Sequence, residues 1–107
     1  MRVAIWVCLA IAFSGVARAE EMALVLVEQD GCVYCEAWHR DIGPIYPRTP
    51  EGAFAPLRRI DIGAPVPPDL AFGSRVVLTP TFVLVDDGRE LARVEGYPGE
   101  EMFWWFL

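Results

Sequence analysis

Asp30-Gly31-Cys32-Val33-Tyr34-Cys35-Glu36-Ala37-Trp38-His39 places a C-x-x-C pair where the pattern of the chain changes. Ahead of it, Ala23 to Glu28 ("ALVLVE") is a continuous apolar, β-branched run. That pattern predicts a strand buried on both faces, as in the centre of a parallel sheet. After it, Tyr34, Trp38 and Ile42 recur at i, i+4 and i+8, with Ala37 and Ile45 beside them. This predicts a helix stripe, with Glu36 and Arg40 as an i,i+4 pair on the polar side. Gly43-Pro44 and Pro47 end the helix. The cysteines therefore sit at a strand-to-helix turn, Cys32 at the helix start. Spacing alone leaves three uses open: a metal clip, a structural staple or a reversible electron carrier.

The destination of the chain narrows the choice. "MRVAIWVCLAIAFSGVARA" has Arg2 as a positive start, an apolar run from Val3 to Phe13, and Ala17-Arg18-Ala19 as an A-x-A cleavage site. The run falls short of the ~20 apolar residues that cross a bilayer. Residues 1–19 thus read as a cleaved signal peptide and residues 20–107 as one small domain. Cleavage removes Cys8, leaving both remaining cysteines in the C-x-x-C of a chain sent to the periplasm, where disulfides persist. A staple closing so short a loop gains at most roughly 2 kcal/mol from unfolded-state entropy, a poor use of the pair.

Net charge excludes other classes. The chain carries −6, with 9 Lys+Arg against 15 Asp+Glu, and cleavage removes Arg2 and Arg18 but no acid. No lysine is present and the arginines are scattered, so there is no basic patch for nucleic acid. Neither repeats nor low-complexity segments appear.

At a helix start, unpaired N–H groups and the positive end of the dipole stabilise an anion. Cys32 can therefore ionise near neutral pH and act as the nucleophile, with Cys35, one turn further in, resolving the mixed disulfide. Downstream, "PIYPRTPEGAFAP" (Pro44 to Pro56) reads as a Pro/Gly-rich connection and "LRRIDI" (Leu57 to Ile62) as a second strand. Pro65 to Phe72 can hold a short helix. Thr81 to Val85 and Glu90 to Glu95 flank Asp86-Asp87-Gly88, a hairpin signal. "GEEMFWWFL" opens a last helix with acids in its first turn, apolar on every side. That ending implies a partner or membrane contact, or a chain that continues. The order is β-α-β, a short helix, then β-β-α: an α/β fold with a central mixed sheet flanked by helices.

These features resemble the thioredoxin-like family over most of residues 23 to 107. The match rests on the C-x-x-C at the strand-to-helix turn, "TPT" before the third strand, the D-G hairpin and Gly96 after the fourth strand. The resemblance implies a cis Thr79-Pro80 bond against the cysteine pair, with Thr79 hydrogen-bonding an extended client segment by strand addition. It also implies Val33 and Tyr34 as client contacts beside Cys32 and Cys35. More narrowly, "VEQDGCVYCEAWHRDIGPIYP", "APLRRIDI" and "EGYPGE" resemble small exported thioredoxins associated with bacterial thiosulfate oxidation, which keep partner thiols reduced. The implied activity is thiol-disulfide exchange in the reducing direction, in a monomer that needs neither cofactor nor metal. Its partners would be clients bearing disulfides or modified thiols, and a membrane thiol carrier would donate the electrons.

Departures from the family keep alternatives open. Gly31 stands where thioredoxins have tryptophan, and Val33-Tyr34 fills the pair. C-x-Tyr-C also occurs in glutaredoxins and periplasmic disulfide isomerases, so an oxidase or isomerase of the same fold is a second reading. The buried acid that assists the second cysteine in thioredoxins falls at Leu26, six residues before Cys32. Water or another group such as Glu28 must then move the proton, although Glu28 reads more simply as a solvated strand end. His39, the only histidine, follows Cys35 by four residues, which makes a copper-carrying protein a third reading. As a plain helix residue it needs no such role. Trp38 reads as core, and Arg58 and Arg59 as solvated strand ends rather than an anion site.

Overall fold

The apolar run around Leu24 to Val27 forms the strand β1 (Met22–Glu28), with those four residues buried. In the computed structural model, which describes Ala4 and residues 21–107, β1 lies inside a four-stranded sheet. It pairs in parallel with β2 (Leu57–Asp61) and antiparallel with β3 (Thr81–Asp86), and β4 (Arg89–Glu95) completes the order β2-β1-β3-β4. A strand with neighbours on both edges and apolar layers on both faces has no polar side, hence the unbroken pattern. The fold is thioredoxin-like α/β: a mixed sheet with flanking helices. Apart from Ala4, the predicted signal peptide lies outside the described residues.

Alternate residues of the sheet feed two cores. Leu24, Leu26 and Phe82 face α1 (Val33–Asp41) and α3 (Glu100–Phe106), where Trp38, Ile42, Tyr46 and Phe103 are buried. Trp38 is the hub, its ring 5.4 Å from Phe82, 5.7 Å from Phe103 and 6.1 Å from Tyr46. The Tyr46 hydroxyl donates to the Ala55 carbonyl at 2.5 Å, and burial, with a smaller contribution from Glu51, pushes its phenol up to about 12. On the other face Val25, Val27, Val83 and Val85 pack with Leu70, Ile60, Ile62, Phe72 and Val76.

Three local expectations are corrected. The buried stripe of α1 runs through Cys35, Trp38 and Ile42, while Tyr34 is 64% exposed and Ile45 47%. Spacings of three and four from Trp38 both lie on one helix face, and here the i−3 side meets the sheet. The expected Glu36–Arg40 pair is absent, since the Arg40 guanidinium lies 3.2 Å from Asp41 Oδ1. Pro65 to Phe72 is not helical; the short helix is α2 (Pro50–Phe54), inside the segment read as mere connection and preceded by a 3-10 turn at Tyr46–Arg48. Pro65, Pro67 and Pro68 remove donors and restrict the residues before them, so no turn of helix can close there. Pro50 instead occupies the first turn of α2, where its missing N–H costs nothing, and the Thr49 hydroxyl caps the Gly52 N–H at 3.0 Å.

The hairpin forms as expected. Asp86 pairs with Arg89 across a two-residue turn, with Asp87 at φ 48° and Gly88 at φ 82°. Two positive φ values give the turn whose twist matches the flanking strands.

Candidate active site: a cysteine pair at a strand-to-helix turn

β1 delivers the chain to the site and α1 carries it away. Gly31, at φ 77°, makes the corner, and the Cys32 N–H donates to the Gln29 carbonyl at 3.2 Å. Cys32 is then the N-cap of α1 in extended conformation, and its sulfur accepts the Cys35 N–H at 3.1 Å. A cap side chain that takes an otherwise orphaned N–H is the role filled elsewhere by serine or aspartate. It also aims a helix-start donor at the Cys32 sulfur, the atom that gains charge on ionisation.

Cys32 and Cys35 form a disulfide with Cα atoms 5.2 Å apart. The two sulfurs are not equivalent. Cys32 is half-buried at the rim, whereas Cys35 is 3% exposed on the buried stripe of α1. Val33 and Tyr34 between them point to solvent, 71% and 64% exposed.

Thr79-Pro80 is cis and enters β3 at the same end of the sheet. The strand registers bring it there: Val27 near the end of β1 pairs with Thr81, and Glu28 pairs with Asp61 at the end of β2. The Pro80 carbonyl accepts the Gly96 N–H at 2.7 Å, and buried Thr81 donates its hydroxyl to the Leu78 carbonyl at 2.7 Å. Thr79 is half-buried and Pro80 buried.

Behind the pair lies a polar cleft of about 180 Å³, lined among others by Cys35, Glu28, His39 and Arg59. Glu28 is not a solvated strand end. Its side chain is 17% exposed, with Oε2 2.6 Å from His39 Nε2 and Oε1 accepting from Arg59 Nε at 2.7 Å. Arg59 and Arg58 are solvated on β2, their side chains 60% and 38% exposed, and each also holds an ion pair, Arg59 with Glu28 and Arg58 forking onto Asp69 at 2.5 and 2.9 Å. Sequence spacing showed that His39 could share a face with Cys35; it could not show that β2 brings Arg59 to the same place. Among the described residues, no three His, Cys, Asp or Glu side chains gather as a metal site.

The thioredoxin-like domain matches residues 10–107. The chain belongs to the thioredoxin-like family. Among solved structures, this thioredoxin-like chain is similar to the periplasmic thioredoxin SoxS from Paracoccus pantotrophus in its reduced form. The two are 48% identical, with a TM-score of 0.77, and the match covers 78% of this chain and 88% of that one. No curated protein matches it. Together, the family and the cysteine pair suggest thiol-disulfide exchange.

Proposed function

We propose that the protein is an exported thiol-disulfide reductase. The observation that carries this reading is the asymmetric disulfide: a rim cysteine at a helix N-terminus bonded to a cysteine that is 3% exposed one turn later. In the reduced protein the Cys32 thiolate attacks a client disulfide and expels one client thiolate. Cys35 then attacks the Cys32 sulfur, breaks the mixed disulfide and releases the second client thiol. Two electrons leave the cysteine pair, which ends as the disulfide. Thr79 and Pro80 border the extended client segment, and Val33 and Tyr34 present the apolar surface it first meets.

Export follows from the leader, cleaved after Ala19, and is supported by 48% identity to a periplasmic thioredoxin. The narrower resemblance suggests clients among sulfur-oxidation proteins. Reduction outside the cytoplasm requires a membrane thiol carrier as donor.

The direction of electron flow rests on charge near Cys32. Among the described residues only the helix start favours its thiolate: no lysine exists, Arg59 is engaged by Glu28, and Asp30 and Glu36 are exposed acids nearby. A weakly stabilised thiolate makes a reducing pair, so we expect a potential nearer ~−270 mV than ~−120 mV. Equilibration of the purified protein with glutathione buffers measures it. A value near ~−120 mV would reassign the protein as an oxidase, and stoichiometric copper in the protein as isolated would favour a carrier.

A further inference from the structure

We propose that the Glu28–His39 pair accepts the proton of Cys35 in the resolving step, an inference that rests on the exchange reaction proposed above. Cys35 must lose a proton to attack, yet at 3% exposure it has almost no bulk water to receive one. Burial disfavours a bare thiolate, so a local acceptor determines how fast this step can run. Leu26, two residues before Glu28 on β1, is fully buried and apolar and offers nothing.

The cleft supplies what Leu26 lacks. Cys35 and His39 stand one turn apart on α1 and line the same cleft as Glu28 at the end of β1. Glu28 Oε2 and His39 Nε2 are 2.6 Å apart, close enough to share a proton, and Arg59 fixes the other carboxylate oxygen at 2.7 Å. Besides Cys35, six charged or titratable side chains face this space: Glu28, Asp30 from the following turn, Glu36 and His39 from α1, and Arg59 and Asp61 from β2. Only Glu28 and His39 form a carboxylate–imidazole pair there. A polar space of about 180 Å³ has room for a water between sulfur and acceptor.

The step balances without another reagent. The Cys35 S–H bond breaks and its proton passes to the Glu28–His39 pair. The Cys35 sulfur bonds to the Cys32 sulfur, and the Cys32–client bond breaks with its electron pair on the client sulfur. The client thiolate takes a proton from solvent, and the pair returns its own proton to the cleft water.

Reduced protein mixed with the aromatic disulfide dithiobis(nitrobenzoate) separates the two steps. One coloured thiol is released when Cys32 attacks and a second when Cys35 resolves. In Glu28→Gln, near neutral pH, the second release should slow by about a hundredfold relative to the first. The slowed phase should recover as pH rises and hydroxide takes over, which a merely structural defect would not do. His39→Gln should slow the same phase by a smaller factor, and it carries the test should Glu28→Gln not fold. A second phase with native rate and native pH profile in the folded variants overturns the relay alone. Failure of the native protein to release even the first thiol overturns the exchange reading and the relay with it.

Discussion

At the residue scale the two cysteines differ by position, not by chemistry. Cys32 caps a helix and receives an N–H at its sulfur, while Cys35 is sealed into the α1 stripe. Reactivity should follow. In the reduced protein, iodoacetamide should alkylate Cys32 at least about tenfold faster than Cys35 near neutral pH, since the thiolate is the reacting form. Mass spectrometry of the quenched protein reads the ratio, and equal rates would remove the assignment. For the same reason Cys35→Ser should accumulate mixed disulfides with clients and Cys32→Ser none. The helix-start position of Cys32 was legible on the chain, whereas the sheet decided that Cys35 rather than Tyr34 turns inward. Glu28 was legible on the chain as one group that could move the proton, but its anchoring by Arg59 was not, because the two are 31 residues apart and meet only through the β1–β2 pairing.

Helix α1 and the β3–β4 hairpin are the elements most exposed to single changes. Trp38 is fully buried against Phe82, Phe103 and Tyr46, and its indole N–H has no hydrogen-bond partner. Trp38→Ala should cost about 3–5 kcal/mol by emptying the centre of one core. Trp38→Phe should cost much less, because it keeps an aromatic ring and removes an unpaired donor whose burial costs about 1–3 kcal/mol. Urea denaturation compares the two, and similar losses would show that the indole is not held this way. In the hairpin, a Cβ at Gly88 would lie 1.9 Å from the Asp69 carbonyl oxygen, on a residue at φ 82°. Gly88→Ala should therefore destabilise by more than the roughly 1–3 kcal/mol of backbone strain alone. A folded variant of native stability would mean that the Asp69 loop can give way.

Across the whole molecule, the segment between β2 and β3 is irregular and is held by side chains of the sheet. Arg93 on β4 forks onto Glu90 at 2.7 Å through each of two nitrogens, and it donates to the Ser74 carbonyl at 2.8 Å. Glu90 in turn accepts the Gly73 N–H at 2.8 Å. Arg58–Asp69 and the Ala71–Arg89 bridge fasten the same segment. The Arg93 hydrogen bonds, followed by the Gly73 N–H, hold the Glu90 carboxyl below its ordinary value of 4.5 despite partial desolvation. A folded value below the unfolded one contributes stability that is present above pH 4.5 and is lost as pH falls through the depressed value. Native protein should thus lose stability on acidification more steeply than Glu90→Gln, with amide exchange at Gly73 rising first. Parallel acid limbs for the two proteins, followed by thermal melting between pH 6 and pH 2, would show that this cluster does not fasten the segment.

The sequence by itself determined what depends on near neighbours along the chain. The buried strand before Cys32, the capped helix after it and the two-residue turn at Asp87-Gly88 are all set by local periodicity and by backbone chemistry that a few residues carry, while the cis Thr79-Pro80 bond is what the family resemblance implies. What failed was also local, but ambiguous. A spacing of three or four from Trp38 fits a helix equally well, and only the sheet decides that Cys35, not Tyr34, turns inward. Proline likewise both opens and forbids helices, and a cap at Thr49 distinguishes Pro50 from the run at Pro65 to Pro68. Tertiary structure alone decided the surroundings of the cysteine pair. Hydrophobic pattern specifies which residues must be buried, not which polar groups from separate strands and helices will share the space left over. Glu28, His39 and Arg59 come together because β1 pairs in parallel with β2 and α1 starts just past the end of β1, and no interval along the chain encodes that meeting.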